Sequence, residues 1–131
     1  MVKEHQIEEI RIDFLEVIKN KEIKGILLFG SLVDNQDTHR SDIDICVVAP
    51  NEDIFELLTY IAGVVNLPKK NYDVRIFSEL PIYIKIQVIE DGVLIYSPDK
   101  YELFEFFYVF RKIWNDQKHR HFISKEDLLT Y

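Results

Sequence analysis

The chain has 131 residues, 47% of them hydrophobic, with 23 Asp and Glu against 16 Lys and Arg and a formal net charge of −7. That length suits a single domain, residues 1–131, around one core, and the acidic surplus excludes stable, non-specific binding to a nucleic-acid backbone. One cysteine, Cys46, excludes an internal disulfide, no apolar run is long enough to span a bilayer, and Met1-Val2-Lys3-Glu4 does not open a signal peptide. A soluble, cytoplasmic protein with no membrane contact is expected.

Ile7, Ile10, Phe14, Val17 and Ile18 recur at the spacing of one helical face and predict a helix from Ile7 to Ile18. Ile26-Leu27-Leu28-Phe29 is a short apolar run that stops at Gly30-Ser31, the pattern of a buried central strand. Asp34 to Ser41 is polar and reads as a loop. Asp42 to Val48 alternates acids with branched apolar residues and predicts a second strand. Pro50-Asn51-Glu52-Asp53 signals a helix start with Asn51 as cap, and Ile54, Leu57, Leu58 and Ile61 form its buried stripe. After a loop through Pro68-Lys69-Lys70-Asn71, Tyr72 to Phe77 predicts a third strand. A short helix after Leu80-Pro81 and a fourth strand from Val93 to Tyr96 follow. A last helix spans about Asp99 to Gln117, with a charged tail behind it. This alternation gives an α/β (α+β) fold: one small mixed sheet flanked by helices.

Three features bear on chemistry. Gly30-Ser31 directly after a buried strand lets a ligand approach the main chain and offers N–H groups and a hydroxyl to an anion, although a tight turn is the ordinary reading of such a pair. Asp42 and Asp44 lie two apart on a strand and so project from one face, while Ile43, Ile45 and Val47 point the other way. Two acids on one strand face repel each other, and a divalent cation between them removes the repulsion; oxygen-only ligands suit Mg2+ or Mn2+. Asp73, in Tyr72-Asp73-Val74-Arg75, adds a third carboxylate if its strand lies near the second. Three acids are what a two-metal phosphoryl-transfer site needs, with cations about 3.5–4 Å apart. Asp73 alone would read as half of an ion pair, and Arg75, on the same face, either touches a phosphate or neutralises the acids. Cys46 sits in a branched apolar run and reads as a core residue.

Leu28-Phe29-Gly30-Ser31, ten intervening residues ending in Ser41, then Asp42-Ile43-Asp44 and the distant Asp73 resemble the signature of the minimal nucleotidyltransferases, of the DNA polymerase β-like superfamily. The resemblance covers most of the chain. It implies that Gly30 and Ser31 grip the triphosphate, that Asp42 and Asp44 hold two Mg2+ ions, and that Asp73 binds one of them and activates the acceptor hydroxyl. ATP is the donor it implies, with Arg40 and Arg75 as further phosphate contacts. One departure is visible. Many members follow Gly-Ser with a small residue, an arginine and a glycine, where this chain has Leu32-Val33-Asp34-Asn35. An acid in place of a base weakens the pull on a triphosphate, and His39 or Arg40 is placed to compensate.

The resemblance further implies an antitoxin that places AMP on a tyrosine of a HEPN-type toxin. Two other functions are compatible with the residues: a module that masks a partner without turnover, and a homodimeric transferase acting on a small molecule of the antibiotic type. The last helix bears on all three. Tyr101, Leu103, Phe104, Phe106, Phe107, Tyr108, Val109, Phe110, Ile113 and Trp114 wrap too much of its circumference for one buried stripe, so an interface is expected, with a protein partner or with a second copy.

Overall fold

The computed structural model describes residues 4–30 and 42–130. Helices α1 (Glu4–Asp13) and α2 (Leu15–Asn20) lead into strand β1 (Gly25–Phe29). After β2 (Ile43–Val48) come α3 (Ile54–Val64), the one-turn α4 (Leu67–Lys70) and β3 (Tyr72–Ile76). A 3-10 turn (Phe77–Glu79), α5 (Ile82–Asp91), β4 (Val93–Tyr96) and α6 (Lys100–Thr130) complete the order. The four strands form one sheet in the order β3-β2-β1-β4. β1 runs antiparallel to both neighbours and β2 parallel to β3, so the sheet is mixed.

Both faces of the central strands are covered, which is why Leu27-Leu28 and Ile45 to Val48 read as unbroken apolar runs. Ile26, Leu28, Ile45 and Val47 pack with Ile10, Phe14, Val17, Leu57 and Ile61 from α1, α2, α3 and the bend between the first two helices. Leu27, Cys46 and Val48 pack on the other face with Phe77, Val88, Leu103 and Phe107. The rings of Phe106, Phe107 and Phe110 gather around Phe77 at 5.8, 5.3 and 5.2 Å between centroids. Lys85 lays its ammonium over Phe77 and Phe110 and donates to the Leu80 carbonyl at 2.8 Å, which ties α5 to this cluster.

Several expected boundaries move. The first helix is two, because Phe14 leaves helical geometry (φ −98°, ψ 6°) while its ring is fully buried. The cap of α3 is Asp53, whose carboxylate accepts from the Glu56 N–H at 2.9 Å; Asn51 instead donates to Glu22. The expected loop at 68–71 contains α4, capped by Asn66, and closes on Asn71 in the left-handed region at φ 59°. Phe77 starts the 3-10 turn rather than ending β3. The last helix runs on to Thr130 instead of stopping near Gln117, since the stretch after Gln117 holds no Gly or Pro to break it. Along its first turns Leu103 and Phe107 are buried, while Tyr101, Phe104 and Tyr108 are exposed. No helix among the described residues is long and apolar enough to cross a membrane.

Candidate active site

The C-terminal end of β1 meets the N-terminal ends of β2 and β3, and the candidate residues collect there. Phe29 stands opposite Asp44 across the antiparallel pair, and on the other side of β2 Asp44 is in register with Asp73. Asp44 and Asp73 therefore lie side by side on one sheet face, the face that carries Cys46 and Arg75 farther along. The register is fixed just outside the acids, where the Ile43 N–H donates to the Asn71 carbonyl at 2.7 Å. Tyr72 anchors the start of β3 from the opposite face by donating its hydroxyl to Asp13 at 2.6 Å, and Lys70 pairs with Glu9 at 2.7 Å. Asp42 precedes β2 rather than belonging to it and is exposed, whereas Asp44 and Asp73 are half-buried.

Gly30 has φ +82°, and a Cβ built on it would lie 2.2 Å from Asp44 Oδ2. Glycine is needed here for two reasons: the backbone is left-handed, and the Asp44 carboxylate occupies the space a side chain would fill. The Gly-Ser pair predicts a ligand's close approach to Gly30; the group that lies there is the Asp44 carboxylate, which no local pattern signals.

Burial raises the Asp44 carboxyl above its ordinary range, and the negative charges of Asp73 and Asp42 push it further the same way. Arg75 opposes them, and a hydrogen bond with the Asp73 side chain adds to the rise. The Arg75 guanidinium reaches Asp73 Oδ1 at 3.3 Å as an ion pair. Of the two roles open to Arg75, the geometry described is the neutralising one. Cys46 is fully buried and its thiol is pushed far up by burial, so it is a core group and not a nucleophile.

Among the described residues no three Asp, Glu, His or Cys side chains close into a ready-made metal cage. The two sides of that observation have separate causes. Asp42 is exposed at the strand mouth, and Asp73 pairs with Arg75. Yet the donors are all oxygen, and beyond the effect of burial the negative charges of Asp73 and Asp42 also raise the Asp44 carboxyl. The donor set thus fits a hard divalent cation, which would offset those charges. Ser31, Arg40 and the Leu32-to-Asn35 departure lie outside the described residues. A separate concavity, bounded by Glu22, Lys24, Pro50, Asn51, Pro98 and Asp99, lies at the other end of the sheet and includes none of the acids.

Comparison with known proteins places this architecture. Residues 13–101 match the family described as "Polymerase beta, Nucleotidyltransferase". A candidate protein adenylyltransferase of Methanocaldococcus jannaschii is 47% identical over 96 residues, 73% of this chain and 73% of that protein. Two solved structures share the fold. A toxin-antitoxin crystal structure with AMP-PNP aligns at TM-score 0.64 and 19% identity, over 91% of this chain and 98% of the other. A tri-AMPylated Shewanella oneidensis HEPN toxin in complex with an MNT antitoxin aligns at TM-score 0.59 and 18% identity, again over 91% of this chain and 98% of the other. With a four-stranded mixed sheet, the family match and a relative of this identity, the chain belongs to the polymerase β-like nucleotidyltransferases and is a nucleotidyltransferase.

Proposed function

We propose that this nucleotidyltransferase moves AMP from ATP onto a tyrosine hydroxyl of a HEPN-type toxin in the cytoplasm, and so acts as its antitoxin. The observation that carries this reading is the 47% identity to a candidate protein adenylyltransferase. Structures that share the fold support it, one holding AMP-PNP and one joining an MNT antitoxin to an AMPylated HEPN toxin. The exposed Tyr101, Phe104 and Tyr108 of α6 suit a protein partner, since aromatic anchors are enriched at such surfaces.

In this mechanism Gly30 and Ser31 receive the triphosphate on main-chain N–H groups and the serine hydroxyl. Asp42, Asp44 and Asp73 would hold two Mg2+ ions, with Mn2+ able to replace them. Bound there, the cations supply charge neutralisation at the attacking and leaving oxygens of an in-line displacement. Asp73 accepts the proton of the acceptor hydroxyl. The acceptor oxygen then bonds to the α-phosphorus, the bond from that phosphorus to its bridging oxygen breaks, and pyrophosphate leaves with the bond's electron pair. Arg40 and Arg75 steady the phosphate oxygens.

A second reading, a module that masks its partner without turnover, is favoured by one feature, Asp34 standing where the family resemblance implies a base. The two are separated by mixing the protein with ATP, Mg2+ and a HEPN-type partner, beside Asp42→Ala/Asp44→Ala. Transfer predicts a mass gain of one AMP on a partner tyrosine, lost in the double variant. A stable complex without that gain would leave masking as the function.

A further inference from the structure

We propose that Arg75 is an exchangeable counter-ion: it holds Asp73 until a divalent cation claims that carboxylate, and its freed guanidinium then binds the triphosphate of the donor. The inference rests on the nucleotide-transfer reading above and adds the residue that couples metal loading to donor binding.

Four observations support it. Arg75 and Asp73 are two residues apart on β3, so both project from the face that carries Asp44, and their charged groups are 3.3 Å apart. The arginine side chain is 56% exposed, so the pair is weakly held and the guanidinium is free to swing toward solvent. Among the described residues β3 is the edge of the sheet, with no further strand on its outer side to confine that motion. Finally, among the described residues Arg75 is the cation that opposes the acids around Asp44. Three other bases near the start of β3 and the sheet ends are engaged elsewhere: Lys70 with Glu9 and Asp13, Lys24 with Glu102, and Arg11 with Glu8 and the Ile95 carbonyl.

The chemistry of the exchange follows from the partners. A divalent cation carries twice the charge of a guanidinium and no hydrogen-bond fork, so it competes for Asp73 on charge alone. A guanidinium released from a carboxylate is always charged, and its planar fork matches phosphate oxygens in two-point contact. In a chain with a net charge of −7, a base already resident beside the acids offers a triphosphate a positive charge. The ordinary alternative is that Arg75 is an edge-strand charge that discourages sheet-to-sheet association. That role predicts no effect on ligands at all.

The test is calorimetry on the wild type, Arg75→Gln and Arg75→Lys, first with Mn2+ alone and then with ATP at saturating Mn2+. Arg75→Gln should bind Mn2+ about two- to fivefold more tightly, because a weak exposed competitor is gone. It should bind ATP about tenfold more weakly, because a charge-assisted contact is lost. Arg75→Lys should return the Mn2+ affinity to the wild-type value and the ATP affinity only in part. The opposite signs are the signature; the edge-strand role leaves both affinities unchanged, and a folding defect lowers the urea midpoint and moves both together. Unchanged affinities in Arg75→Gln, or both shifting the same way, overturn the inference while leaving the nucleotide site intact. A wild type that binds no ATP with Mn2+ overturns the transfer reading and this inference with it.

Discussion

The two ends of β2 obey different rules. From Ile45 to Val48 every side chain is fully buried, apolar and packed from both faces of the sheet. One residue earlier, Asp44 is half-buried beside Asp73 and close to Gly30, with its carboxyl raised by burial and by like charge. One end is arranged for stability and the other against it, on a single six-residue strand. The lesson is that the domain tolerates an unfavourable cluster because the rigid end of the same strand holds it in place, a local conflict of the kind expected where function sits.

The largest expected effect lies at the stable end. Ile45→Ala removes a fully buried branched side chain and should lower unfolding free energy by about 2–5 kcal/mol, measured by urea denaturation. A small change there would mean that the strand is not the anchor described.

Next comes Asp44→Asn, for which activity and stability should move in opposite directions. Nucleotide transfer should fall on the order of a hundredfold, as when one group stabilising the transition state is removed. Stability at neutral pH should rise. The sign follows from linkage: a carboxyl whose folded-state value is raised contributes its full stability below the unfolded value, and that contribution is lost as pH climbs through the folded value. The metal-free wild type should therefore weaken as pH rises out of the acid range, and the variant should weaken less. Thermal melts across that range, with and without Mg2+, read both effects; a variant less stable than wild type at neutral pH would remove the contrast between the two ends.

The smallest effect joins the two. Gly30→Ala forces an L side chain into a left-handed backbone and against Asp44 Oδ2, at a cost of about 1–3 kcal/mol. Activity should fall with it, because the carboxylate must move. Combining Gly30→Ala with Asp44→Ala tests the contact itself: if the strain comes from that carboxylate, the second change should recover part of the stability lost to the first.

Much of this was legible in the residues, for reasons that also mark the limit. Leu27-Leu28 and Ile45 to Val48 announce central strands because a strand covered on both faces needs no polar alternation. Gly30, Asp42, Asp44 and Asp73 stand out because an acid is an unusual strand residue and glycine an unusual strand terminator. What local pattern does not encode is long-range. The apolar period runs straight through Phe14, and only the burial of its ring against β-sheet residues explains the break there. The choice of Asp53 over Asn51 as cap turns on Asn51 having a partner in Glu22, twenty-nine residues away. Likewise the pairing of Arg75 with Asp73 follows from strand periodicity, but the presence of both beside Asp44 depends on the parallel register of β2 with β3. The local pattern also falls short of the end of α6, because the aromatic stretch stops at Trp114 while the charged residues beyond it include no Gly or Pro to end a helix.

Cys46 has a practical consequence. It is the only cysteine in the chain, it is fully buried two residues from Asp44, and burial keeps it in the thiol form. A thiol-specific reagent therefore has one target, and it reaches that target only when the central strand opens. The rate at which the folded protein is labelled is a clock for that opening, read at a single atom with no engineered probe. A ligand that bridges Asp44 and Asp73 should slow the clock, so occupancy of the acidic end can be followed from the buried one.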